Sequence, residues 1–115
     1  MRKVTEQTVK AFLARKARTV GNTHTDGEAL YLHNNLIARW VAKDLIEITD
    51  AGWRTVTTKE RLNGLLTSLA HYDGNQWHNL QRISQRNFEW FINGEPWVGT
   101  AFIGLSAERK AQGAL

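Results

Sequence analysis

The chain reads as an α+β protein, an antiparallel sheet of about five to six strands with two helices packed on it, in the order α-β-β-β-α-β-β. Three observations predict this. Apolar residues recur at helical spacing in two separate segments, and a period of two replaces that spacing in the stretches between and after them. Short turns rich in Gly, Asn and Asp cut those stretches into strand-length pieces. Two apolar helix stripes and one sheet face bury each other when both helices lie on the same side. The length of 115 residues suits one domain, 1–115. A domain of that size buries roughly two-thirds of the surface its unfolded chain exposes, enough for a core without cross-links.

The first helix is predicted over Thr5–Val20, where Val9, Phe12, Leu13, Ala17 and Val20 form the stripe and Gly21 ends it. Residues 22–28, "NTHTDGE", read as a polar loop. "ALYLH" and "LIARWV" then read as strands joined at Asn34-Asn35, and a turn at Ala42-Lys43-Asp44 leads into a third strand, "LIEIT". The second helix is predicted over Thr58–His71, with Leu62, Leu65, Leu66 and Leu69 at i, i+3, i+4 and i+7. Thr57 reads as its N-cap and Glu60 as the glutamate that bonds back to it. Further strands are predicted at Asn79–Ser84 and Phe88–Ile92, with a hairpin turn at Asn93-Gly94. Pro96 restricts the short piece near Trp97 to an edge. Thr100–Leu105 adds a candidate last strand, and 106–115 reads as a frayed tail.

Composition narrows the chemistry. The chain has no cysteine, which excludes disulfides, thiol catalysis and cysteine zinc sites. No apolar run reaches the ~20 residues of a membrane span, and the first residues lack a signal-peptide pattern, so a soluble cytoplasmic protein is expected. The formal charge is +4, and its placement is uneven. Residues 1–20 hold six Lys or Arg against Glu6, a formal +5, whereas the remainder is slightly acidic. On the predicted first helix, Lys10, Arg15, Lys16 and Arg18 make a basic face. Such a face suits phosphate contacts, and equally a solvated surface or an acidic protein partner.

The stretch "GWRTVTTKERLNGLL", Gly52–Leu66, is the most motif-like in the chain. Its threonines and glutamate fit a helix start, and its Lys59 and Arg61 offer a second basic patch that could assist an anion at the helix N-terminus. His24 with Asp26, and His71 with Asp73 and His78, have no spacing that requires a metal. No cofactor and no catalytic residue is expected. Glu89 and Glu95 read as solvated turn charges, and no nucleophile or phosphate-loop motif is present. Of the five tryptophans, Trp40 and Trp90 sit within strand patterns and read as core. Trp53, Trp77 and Trp97 lie at element ends, where indoles stack bases, anchor an interface or plug the sheet. Tyr72 and Trp97 are the candidate partner-binding aromatics.

Four stretches, "VKAFL", "VGNTHTDGEALYLHNNLIARW", "DAGWRTVTTKERLNGLL" and "QRNFEWFING", together resemble a group of small tailed-bacteriophage and prophage proteins for which no activity is established. The shared pattern is Gly21-Asn22-Thr23, then Leu32-His33, then the Gly-Trp-x-Thr-x-Thr-Thr-x-x-Arg-Leu-Asn run of Gly52–Asn63, covering about Val9 to Ile92. The resemblance implies action in the host cytoplasm on replication, gene expression or host defence, and brings no catalytic residues. The expectation is a non-enzymatic accessory protein that binds nucleic acid through its basic N-terminal helix. The alternative is an inhibitor of a host protein, of anti-defence or anti-CRISPR type.

Overall fold

A computed structural model describes residues 1–72 and 81–104, with main chain only at His71 and Tyr72. The tail 106–115, together with Asp73, Trp77 and His78, lies outside the described residues.

The first helix, α1, covers Lys3–Leu13 and buries Thr5, Thr8, Val9, Phe12 and Leu13. It stops seven residues before the predicted end. The Arg15 N–H bonds the Phe12 carbonyl (3.0 Å), and the Lys16 N–H bonds the Ala11 carbonyl (2.8 Å). This is a Schellman termination with Arg15 in the left-handed position usually given to glycine, at φ 57°. Tertiary contacts hold it there. The Arg15 guanidinium lies 3.9 Å from the centroid of the Trp40 ring and donates to the Lys43 carbonyl. Gly27 packs on the same reversal so closely that a Cβ there would stand 2.8 Å from the Arg15 carbonyl oxygen.

The chain therefore turns back as a strand. The strand β1 (Ala17–Val20) pairs with β2 (Thr23–Asp26), so residues predicted as helix end and loop form a hairpin instead. Thr23 and Thr25 of β2 face inward while His24 and Asp26 face outward. The meander continues through β3 (Ala29–Leu32), β4 (Asn35–Ala42) and β5 (Leu45–Thr49). Its β3–β4 turn is His33-Asn34, both at positive φ, one residue earlier than expected.

The second helix, α2, spans Val56–Tyr72. Its cap is Thr55, whose Oγ1 accepts from the Thr58 N–H at 3.1 Å. The predicted Thr57 and Glu60 pair does not form, because Glu60 is drawn to α1, where the Thr5 hydroxyl donates to it at 2.6 Å. Past α2, β6 (Ile83–Arg86), β7 (Glu89–Ile92) and β8 (Glu95–Pro96) form a small sheet. The last described strand, β9 (Thr100–Gly104), returns to pair with β5.

The result is α+β, with a six-stranded antiparallel sheet in the order β1-β2-β3-β4-β5-β9 and a three-stranded one. The helix α1 lies over β1, β2 and β3, and α2 packs on α1 and reaches β4 and β6. Leu30, Ile37, Ile46, Ile48, Leu62, Leu65 and Ile83 fill one core with Phe12, Trp40, Trp90 and Trp97. The other face of the large sheet carries the Arg39–Glu47 ion pair (2.8 Å) and the stacked rings of His24 and Tyr31.

Candidate nucleic-acid interface

The early end of α1 decides where the basic residues lie. Lys10 stands on α1, whereas Lys16 and Arg18 return along β1 beside it. A groove of about 470 Å³ runs between the two elements, with Glu6, Gln7 and Lys10 on one side and Lys16 and Arg18 on the other. Ala11, Ala14 and Ala17 line it between the cations, and their short side chains keep it open. Lys10, Lys16 and Arg18 are all exposed. The Arg18 Nη2 donates to Gln7 Oε1 at 3.3 Å, an exposed contact that leaves the other guanidinium donors facing solvent. Among the described residues, Glu6 is the single carboxylate in the lining. The predicted basic helix face is thus a basic helix–strand groove, and β1 is an edge strand of its sheet.

Three of the predicted cations lie elsewhere. Arg15 sits over Trp40 and reaches Glu28 at 4.0 Å, so its charge is committed to holding the chain reversal. Lys59 is on α2, donates to Gln85 Oε1 at 3.1 Å, and shares a separate pocket with Arg82. Arg61 is 2 % exposed and is no surface patch. Its Nε donates to Thr23 Oγ1 (2.9 Å), its Nη1 to Thr5 Oγ1 (3.0 Å) and to Glu60, and its Nη2 to Asn22 Oδ1 (3.1 Å). A guanidinium buried this way is a structural tie between α1, α2 and the β1–β2 turn.

The aromatics also sort differently from expectation. Trp97 is 4 % exposed, packs against Trp90, and donates its Nε1–H to Asp50 Oδ2 at 2.8 Å. It plugs the core and, buried there, presents no surface to a partner. The Tyr72 side chain lies outside the described residues. Trp53, by contrast, is 60 % exposed.

Two buried or half-buried carboxylates are held ionised. Burial pushes Glu60 up, but the Thr5 hydroxyl, Arg61 and the Arg2 amide outweigh it and keep its carboxyl below the usual range. Burial likewise opposes Asp50, and donors from Trp97, Gly52 and Arg54 overcome it. Among the described residues, no three His, Asp or Glu side chains converge to hold a metal ion.

The Kyanoviridae Gp96 protein family matches residues 1–108, from before α1 to beyond β9. The chain belongs to this phage protein family. The match takes in the groove and every described element. No curated protein and no solved structure matches the chain. No described helix is long and apolar enough to cross a membrane.

Sequence reasoning missed β1 and β2, and so missed the groove. The signal was present in Asp26-Gly27, a strong hairpin dipeptide whose Asp26 Oδ1 accepts from the Glu28 and Ala29 amides at 2.8 and 2.9 Å. Arg61 was legible as well, because it stands four residues before Leu65 and eight before Leu69, on the buried side of α2.

Proposed function

We propose that this phage accessory protein acts in the host cytoplasm by binding nucleic acid, without catalysis, through the α1–β1 groove. The observation that carries the reading is the convergence of Lys10, Lys16 and Arg18 on one open groove opposed, among the described residues, by Glu6 alone. Cations spaced along a groove are what a phosphate backbone requires, and neutralising phosphates releases counterions and drives association. Neither Asp50 nor Glu60 is suited to act as a general acid. A general acid at neutral pH needs a raised pKa, and both are held the other way.

The test is fluorescence anisotropy with labelled single- and double-stranded oligonucleotides over a salt series. Affinity falls steeply as salt rises, and the Lys10→Glu, Lys16→Glu, Arg18→Glu triple variant loses it. Each single reversal lowers the slope of log K against log salt by about 1. Absence of binding by the wild-type protein at low salt sinks the reading.

One observation favours a host-protein inhibitor instead. Phe88 sits at the β6–β7 tip, 94 % exposed, with φ 67°, a conformation that bulky residues rarely adopt. An aromatic displayed this way can anchor a protein interface. A pull-down from host lysate with and without nuclease separates the two. Under the first reading nuclease removes the captured material, and under the second a discrete protein survives it and is lost in Phe88→Ala.

A further inference from the structure

A second concavity, of about 390 Å³, opens where the β3–β4 turn meets the start of α2, and it accounts for the threonine-rich stretch that the groove leaves unused. Leu32 and Ile37 supply apolar lining, and Trp53 lines it with an indole that is 60 % exposed. An exposed indole beside a cavity is apolar surface that burial on a partner would relieve. Asn35 and Thr57 also line the space, and neither side chain has a hydrogen-bond partner among the described residues. Among the described residues, no Lys or Arg lines the pocket. The one carboxylate among its described lining residues, Asp50, already accepts from Gly52, Arg54 and Trp97. The described lining therefore offers an aromatic face, the His33 ring and a few neutral polar groups, with no guanidinium or ammonium to neutralise an anion. That chemistry fits a flat, uncharged ring with a polar edge.

The chain links this pocket to the groove. The strand β1 carries Lys16 and Arg18 and leads into Gly21-Asn22. The Asn22 carbonyl accepts the His33 N–H at 2.8 Å, and His33 lines the pocket. Arg18 and Asn22 are four residues apart, at most roughly 13 Å of extended chain, a span that a few nucleotides cover. We infer that the Trp53 pocket takes an unstacked nucleobase of a single strand whose phosphates lie in the α1–β1 groove. Duplex bases are already stacked and paired, so the pocket selects single strands. This inference rests on the groove reading for the strand's path, whereas the pocket's preference for a base can be tested without the groove.

The experiment measures a labelled oligo-dT and a duplex of equal length by anisotropy, and free thymidine and adenosine by saturation-transfer NMR, with glucose as the control ring. The variants are Trp53→Ala, Trp53→Phe and the groove triple reversal. Trp53→Ala weakens oligo-dT binding roughly 5- to 150-fold, the range for one base–aromatic stack, with duplex binding and the salt slope unchanged. Trp53→Phe recovers part of the loss. Nucleoside saturation transfer disappears in Trp53→Ala and persists in the groove triple variant. If wild-type protein binds no oligonucleotide but still gives the Trp53-dependent nucleoside signal, the groove reading falls and the base pocket stands. Unchanged single-strand affinity in Trp53→Ala overturns the inference. So does an equal loss for single strand and duplex, an absent nucleoside signal, or a glucose signal of the same size.

Discussion

Glu60 shows how one residue's role depends on which helix it faces. In sequence it is a charged side chain of ordinary appearance near the start of α2, and in the fold it is an acceptor for Thr5, Arg61 and the Arg2 amide. Its carboxyl is held below its ordinary 4.5, so the folded state releases this proton more readily than the unfolded chain does. The stabilisation is therefore complete above about pH 4.5 and is lost as pH falls through the folded value. Urea midpoints measured from pH 7 to pH 3 should fall for wild type. Glu60→Gln should start lower at pH 7 and fall less, because it has no proton to take up there. Asp50, Glu47 and Asp26 are held down as well and account for the slope that remains. Equal slopes for the two proteins would remove Glu60 from this account. In sequence, Lys59 and Arg61 look alike as basic residues near a helix start, and only helical phase tells the exposed contact from the buried tie.

The contact between α1 and α2 is set by Gly64, a residue with little to recommend it inside a helix. A Cβ there would stand 2.3 Å from Thr5 Cγ2. The stiff, β-branched Thr5 cannot swing away without releasing Glu60 and Arg61, which its hydroxyl serves. Replacing Gly by Ala in a helix gains about 1 kcal/mol in propensity, whereas overpacking a buried contact costs about 1–3 kcal/mol. The clash wins, so Gly64→Ala lowers the urea midpoint. Thr5→Ser removes the methyl and keeps the hydroxyl. In that background Gly64→Ala becomes neutral or stabilising, a sign change that a double-mutant cycle reads directly. Additive effects would place the helix contact elsewhere. The second helix itself was legible from four leucines, yet its cap was not. Thr55 and Thr57 are equally good caps by type, and the choice fell to Thr55 once Glu60 was engaged by α1.

At the scale of the whole molecule, two sheets share one core through few directional ties. The Asn63 side chain donates to the Ile83 carbonyl (2.9 Å) and accepts the Ile83 amide (2.7 Å), joining β6 to α2 as a strand neighbour would. The Trp97 bond to Asp50 and the exposed Lys59 contact with Gln85 are further ties. Asn63→Ala leaves both backbone groups of Ile83 without partners, at about 1–3 kcal/mol each if they stay buried. Amide exchange should quicken through residues 83–97 while β2–β5 keep their protection. Uniform quickening across both sheets would mean that the small sheet is not a separable unit. The strongly asymmetric charge of residues 1–20 survives folding as the α1–β1 groove, so the basic interface was half visible in the sequence. Lys10, Lys16 and Arg18 remained together, but on two elements and without Arg15 or Arg61.

The α+β class, the meander from Ala29 to Thr49, the long leucine helix and the Asn93-Gly94 turn were readable because each rests on local periodicity or on a dipeptide suited to positive φ. The stop at Arg15 was not. Ala17 and Val20 lie in phase with Val9 and Phe12, and an arginine carries no local instruction to take a left-handed conformation. Trp40, Lys43 and Gly27, distant in sequence, supply the contacts that offset that conformation. Local patterns specify which segments can be helix or strand. Where one ends, and which cations meet in one groove, is decided by contacts that exist only once the chain has closed on itself.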